Sequence, residues 1–307
     1  MVSMLGGCTP APGIPTTDPS LGAGSPGTEV SGVETAPSTA GTVLRYDARA
    51  ATLQQRGQLE MVQRGAGQYA EAVVDLSATI EIVPAQERLK VVWALGRIES
   101  LELRGALQVD DGSDPKAFLL AHGRGAYYSD LRGQAEDDPT LPENAEREAK
   151  LASMREAVQA ATEAGTPAPV APGLQMLSYL PPLVQLPSLP EEPLPLNEPV
   201  KVEREEETEL GDTGLLLPFY VTMTYTLVNI DTSGGDRLAE MTFTGSAIGS
   251  QEGPGGEIVI ESQQKGTLLF NLDKQLPVSY ESTRTESYEM GQFSGEAETT
   301  LRASWDV

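Results

Sequence analysis

From residue 43 onward the chain alternates between apolar and polar positions. In the stretch 73–83, VVDLSATIEIV, Val74, Leu76, Ala78, Ile80 and Ile82 fall on one face and Asp75, Ser77, Thr79 and Glu81 on the other. That period of two marks a half-buried antiparallel strand. The neighbouring stretches ATLQQRGQLEMVQ, RLKVVWALGRIESLELRG and KAFLLAHGRGAYYSDL read the same way, so at least four strands are expected between residues 42 and 135, with a charged turn at PAQERL. From Pro199 strands resume. VTMTYTLVNI puts Val221, Met223, Tyr225 and Leu227 opposite Thr222, Thr224 and Thr226, DTSGGDR supplies a hairpin turn, and LAEMTFTGSAIG answers with Ala239, Met241 and Phe243. Two or three strands follow over 256–290. The last alternation runs through Ala297, Thr299, Leu301, Ala303 and Trp305.

Residues 136–198 break the pattern. DDPTLPENAEREAKLASMREAVQAATEAG carries helix start and stop signals, with Leu151, Met154, Val158 and Ala161 as an apolar stripe, and predicts one amphipathic helix. The proline-rich run after it cannot be a central strand. Its many apolar residues, among them Leu174, Met176, Leu177, Tyr179, Leu180, Leu183, Val184 and Leu186, predict an extended crossover packed along the body rather than an exposed linker. The segments GAYYSDLRGQ at 125–134 and GTLLFNLDKQ at 266–275 align, each a strand entering a turn after Asp or Asn. The expected architecture is therefore α+β and mainly antiparallel β: two related β-meanders, 42–135 and 199–307, forming a curved sheet or half-barrel, with the helix and crossover of 136–198 between them.

The first 41 residues belong to neither half. They are almost all Gly, Pro, Ser, Thr and Ala, a composition that cannot bury enough apolar surface to offset the entropy of ordering it, and residues 9–41 read as a disordered tether. The formal net charge of −24 is uneven: residues 1–40 hold three acids and no base, 41–135 twelve acids and eleven bases, 136–307 thirty acids and ten bases. A chain of this kind lacks the basic stripe that phosphate binding requires, so nucleic acid is not an expected partner, nor is electrostatic docking on anionic lipid.

Cys8 is the only cysteine, which rules out an intrachain disulfide. Leu5-Gly6-Gly7-Cys8 resembles the lipobox of bacterial lipoproteins, in which small residues precede a cysteine that is diacylated and becomes the mature N-terminus. The resemblance implies that residues 1–8 are the remnant of a lipoprotein signal and that the membrane is reached through a lipid on Cys8. No Lys or Arg precedes Arg45, and between Met1 and Cys8 only Val2, Met4 and Leu5 are apolar, so the basic and apolar regions of a complete signal are expected upstream. Thr9 stands where an Asp would retain such a protein in the inner membrane, which implies the outer membrane if the host is Gram-negative. Taken with the tether and strand layout, the chain is also similar to an uncharacterised family of bacterial secreted proteins and lipoproteins. There the segment matching Pro199 to Glu203 continues as Val-Gly-Asp and an aromatic residue, whereas here it reads Val200-Lys201-Val202-Glu203-Arg204. A looser similarity is to the periplasmic lipoprotein-carrier fold, which implies a lipid cavity enclosed by a curved sheet.

Candidate chemistry is sparse. His122 is the only histidine and is read as a sheet-face residue flanked by glycines, and no nucleophile elbow or phosphate loop accompanies it. Carboxylates at Asp110, Asp111 and Asp114, at Asp137 and Asp138, and at Glu203, Glu205, Glu206, Glu207 and Glu209 lack the spacing of a dedicated calcium loop. The last group is expected to be a solvated strand edge that blocks pairing with neighbouring molecules. The sequence thus predicts an envelope lipoprotein with a non-catalytic binding or structural module and no cofactor or metal, its partner an envelope protein or an apolar small molecule. The alternative is a carrier for a lipid or other apolar ligand, bound by Val74, Leu76, Ile80, Val221, Met223, Tyr225 and Leu227.

Overall fold

The computed structural model describes residues 41–306, apart from 48, 66–67, 106, 108–113, 137, 139, 151, 154–155, 157–179, 210–215, 254–255 and 292. Long alternating stretches give long strands: β1 (Ala51–Gly65), β2 (Gln68–Ala85) and β3 (Arg88–Gly105), then the shorter β4 (Arg124–Ser129) and β5 (Ala135–Glu136). Beyond the crossover come β6 (Pro199–Glu209), β7 (Leu216–Asp231), β8 (Leu238–Gly253), β9 (Gly256–Asn271), β10 (Leu276–Met290) and β11 (Phe293–Asp306). All eleven belong to one antiparallel sheet in the order β5-β4-β3-β2-β1-β11-β10-β9-β8-β7-β6. The first and last long strands meet at the centre, with Leu59 opposite Leu301 and Gln55 opposite Trp305. Residues 42–135 and 199–307 therefore share one hydrogen-bonded sheet.

The alternation read from β2 holds at every position: Val74, Leu76, Ala78, Ile80 and Ile82 are buried. Both outer strands are poor templates for further pairing. β5 is two residues long. β6 is the other edge and carries the acidic run, with Lys201 paired to Glu203 and Arg204 to Glu206 along it. The strand into turn at 125–134 and its counterpart at 266–275 share a local device. Asp130 Oδ1 accepts the N–H of Arg132 at 2.8 Å and of Gln134 at 2.9 Å, and Asn271 Oδ1 accepts the N–H of Asp273 at 3.0 Å and of Lys274 at 2.9 Å. In each case a short side chain substitutes for a backbone acceptor and reverses the strand.

One expectation is corrected. Pro115–His122 is a helix, α1, and not the start of a strand. Asp114 caps it, accepting the N–H groups of Lys116 at 3.0 Å and Ala117 at 3.1 Å, and Pro115 occupies the first turn, where its missing N–H costs nothing. The cap outweighs the apolar run KAFLLA, whose Leu119 is the residue that α1 buries. The amphipathic helix expected after residue 136 begins with a 3-10 turn at Pro142–Asn144 and continues helically over 145–150. Its stripe of Leu151, Met154, Val158 and Ala161 lies outside the described residues, as do Leu174 to Tyr179.

One face of the sheet is apolar, and two non-strand segments cover it. The first, residues 41–47, buries Leu44 and Tyr46. The second is the crossover from Leu180, which contains the single turn α2 (Pro181–Val184) and buries Leu180, Leu183, Val184, Leu186, Leu189 and Leu194. Thr42 and Leu194 exchange backbone hydrogen bonds at 2.8 and 2.9 Å. Arg132 donates to Leu44 O at 2.8 Å and to Pro190 O at 2.5 Å, so one guanidinium holds both segments. Gly133 makes this approach possible. Its φ is +80°, and a Cβ there would stand 2.4 Å from Pro187 O and 2.8 Å from the Tyr46 ring.

Candidate functional site

The crossover is fixed to the body at three points. Gln55 Nε2 donates to Leu183 O, Tyr46 OH to Pro187 O at 2.7 Å, and the Leu186 N–H to Tyr127 OH at 2.9 Å. These anchors lie on β1, on β4 and in the segment before β1. Gly57 of β1 lets the strand and the crossover come close, since a Cβ would sit 3.2 Å from Leu183 Cδ2. Beyond β1, the crossover and the sheet enclose a cavity of about 190 Å³. Its floor is the core-facing row of four strands, with Leu59 and Met61 from β1, Leu301, Ala303 and Trp305 from β11, Tyr280, Ser282, Arg284 and Glu286 from β10, and Gln264 from β9. Leu183, Gln185, Leu186, Pro187 and Ser188 of the crossover form its roof.

The floor is graded along the strands. Thr299, Leu301, Ala303 and Trp305 run in steps of two down β11, and Tyr280, Ser282, Arg284 and Glu286 run the other way on β10, six residues in each case or about 20 Å at roughly 3.3 Å per residue. Trp305 and Ala303 make one end apolar and buried. At the other end Arg284 and Glu286 form an ion pair at 2.5 Å, their side chains 41% and 20% exposed, and Arg284 Nε donates to Ser262 Oγ at 3.0 Å. Gln264, opposite Arg284 on β9, reaches back along the floor, and its Nε2 donates to Tyr280 OH at 3.3 Å. The indole N–H of Trp305 is buried with no hydrogen-bond partner among the described residues.

The residues singled out from the sequence are placed on the same face but not together. Val74, Leu76 and Ile80 are buried in β2, with Val74 opposite Leu59 and Leu101. Tyr225 and Leu227 are buried in β7, while Val221 and Met223 are half-buried there. The two groups stand six strand positions apart, roughly 29 Å along the sheet at about 4.8 Å per strand. The cavity lies between them, over β1, β11, β10 and β9, none of which was expected from the sequence to form the ligand-binding face. A signal for it exists in β10. YESTRTESYE has polar residues on both faces, which is unusual in a strand flanked by apolar-faced neighbours. Cys8, Asp110, Asp111 and Asp137 lie outside the described residues.

His122 is the last residue of α1 rather than a sheet-face residue. Its ring lies 4.7 Å from that of Phe118, and its Nδ1 is buried without a partner among the described residues. Asp114 caps α1, and Asp138 accepts the N–H of Thr140 at 2.9 Å. Among the described residues no three or more His, Cys, Asp or Glu side chains gather as a metal site, and no helix is long and apolar enough to cross a membrane.

Three tyrosines of the core face give a pH prediction. Tyr46, Tyr225 and Tyr280 all have their phenol pKa raised above the ordinary 10.0, in each case chiefly because burial penalises the phenolate. A pKa raised by folding contributes stability that is fully present below the unfolded-state value and lost as the pH rises past it. Stability is therefore expected to fall above about pH 10, with the 295 nm absorbance of these phenolates appearing together with loss of the sheet circular dichroism. Ionisation of all tyrosines with the sheet signal intact would show that these phenols are not buried.

No protein-family model matches the chain, and no curated protein is significantly similar to it in sequence.

Proposed function

We propose that this chain is a bacterial envelope lipoprotein, anchored by a lipid on Cys8 and carrying a non-catalytic binding or structural module on a tether over residues 9–41. The observation that supports a separate module is the built-in cover. Residues 41–47 and the crossover close the apolar face of the sheet and are pinned to each other through Arg132 and through the Thr42–Leu194 pair. A body that supplies its own cover suits presentation at the end of a flexible leash. In this reading the sheet consists of two related meanders, 42–135 and 199–307, curved toward a half-barrel and joined at β1 and β11. The shared Asx turns after β4 and β9 support their relatedness. The outer membrane is the proposed location in a Gram-negative host.

The anchor is tested by mass spectrometry of the protein isolated from its native host. An N-terminal peptide beginning at Cys8 and carrying a diacylglycerol is expected from the membrane fraction. Recovery of the protein from the soluble fraction with an unmodified Cys8 thiol would sink the anchored reading.

A second reading, a carrier for a lipid or other apolar ligand, is favoured by one observation, the cavity beneath the crossover. At about 190 Å³ it is smaller than the roughly 300–1,000 Å³ of ordinary ligand pockets. The core-facing residues of β2 and β7 are largely packed, which supports a module that binds at the seam over the broad sheet cavity the carrier reading requires.

A further inference from the structure

We infer that the cavity between the crossover and strands β9 to β11 takes a single-chain amphiphile with an uncharged or zwitterionic head, its tail toward Trp305 and its head at the Arg284–Glu286 end. This rests on the binding-module reading and gives the ligand a chemical class. Three features of the site carry it.

The first is shape. The floor extends about 20 Å along two neighbouring strands at a small volume, which suits one narrow chain and not a branched or two-chain lipid. The second is the gradient of polarity. Along β9 to β11, Leu301, Ala303 and Trp305 line one end and Arg284, Glu286 and Gln264 the other, with Met61 of β1 beside the polar end, so a plain hydrocarbon would leave Arg284 and Glu286 facing apolar surface, which is costly where polar groups are part-buried. The third is charge. Arg284 and Glu286 are paired at 2.5 Å and cancel at the polar end. An anionic head would meet the Glu286 carboxylate and a cationic one the Arg284 guanidinium, whereas a dipolar or neutral head meets a matching pair.

Isothermal titration calorimetry on the full chain carrying Cys8→Ser tests this with three probes of equal chain length, each below its micelle concentration: dodecylphosphocholine, dodecanoate and dodecyltrimethylammonium. Saturable one-to-one binding is expected for dodecylphosphocholine, with the two charged probes weaker. Glu286→Gln should shift preference toward dodecanoate and Arg284→Met toward dodecyltrimethylammonium, each by roughly three- to tenfold, the effect of unmasking one part-exposed charge. Both side chains are part-exposed, so the variants should fold, which circular dichroism checks. Absence of saturable binding by every probe to the folded protein overturns the inference, and so does a charge preference that stays put in either variant. These results are separable from the fate of the anchor. A diacylated Cys8 with no amphiphile binding leaves the tethered lipoprotein and removes this ligand, while binding to a chain whose Cys8 is unmodified in its host does the reverse.

Discussion

Replacing Phe270 by alanine is expected to cost about 3–5 kcal/mol of stability, the range for truncating a buried aromatic residue. Phe270 is 1% exposed in β9, and its neighbours across the sheet are Ala239 and Pro277, small or rigid residues that cannot expand into the space left behind. Its ring also meets the edge of Tyr46 at 5.6 Å and 73°, an arrangement worth about 0.5–1.5 kcal/mol beyond area burial. Tyr46 in turn holds Pro187 O. The loss should therefore reach the cover as well as the sheet. Urea denaturation should show a lower midpoint with an unchanged slope, and amide exchange at Thr42 and Tyr46 should speed up more than exchange in β2. Phe270→Leu, which keeps most of the volume, should cost less than about 1.5 kcal/mol. A Phe270→Ala midpoint within error of the parent would mean that the contact is not formed in solution.

Asn144→Ala is expected to cost about 2–4 kcal/mol although it removes only a small polar group. Asn144 is 1% exposed, and its amide does the work of a missing strand. Nδ2 donates to Ala126 O at 2.9 Å and to Asp138 O at 2.7 Å, while Oδ1 accepts the Ala126 N–H at 2.8 Å. Strand β5 reaches only Tyr128 and Ser129 of β4, so Ala126 has no strand partner on that side. Three hydrogen bonds at a net of about 1 kcal/mol each give the expected size. Asn144→Asp is expected to be as damaging, because a carboxylate offers two acceptors to the carbonyls of Ala126 and Asp138. Protection of the Ala126 amide against hydrogen exchange, lost in Asn144→Ala and retained in the parent, is the specific readout. Loss of global stability with that amide still protected would place the role of Asn144 elsewhere.

Some of this was legible in the residues and some was not. The strands β2, β7, β8 and β11 could be read position by position because half-burial imposes a period of two and each has one apolar face. The acidic run on β6 reads as an edge because charge is tolerated only where nothing pairs. Helix α1 was missed because KAFLLA is compatible with a buried strand, and the outcome turned on Asp114 and Pro115, a two-residue start signal easily passed over in a Gly-Ser-Asp stretch. The cavity was missed because its residues lie on four strands that come together only when β1 pairs with β11, some 240 residues later in the chain.

The alternation of residue types by itself determined that this protein is mainly antiparallel β, which residues of most strands face inward, and that the described residues between 136 and 198 add no strand to the sheet. Those are consequences of local geometry and of the cost of exposing apolar side chains, and each can be evaluated within a window of about ten residues. Only the tertiary structure decided that both halves form one sheet through its first and last long strands. It likewise decided that Arg132, Tyr46 and Tyr127 pin a proline-rich cover, and that the mixed-polarity face of β10 borders a cavity instead of solvent. Strand order, and contacts between residues 46, 132 and 187, depend on which distant surfaces fit together, and side-chain periodicity carries no information about distance along the chain.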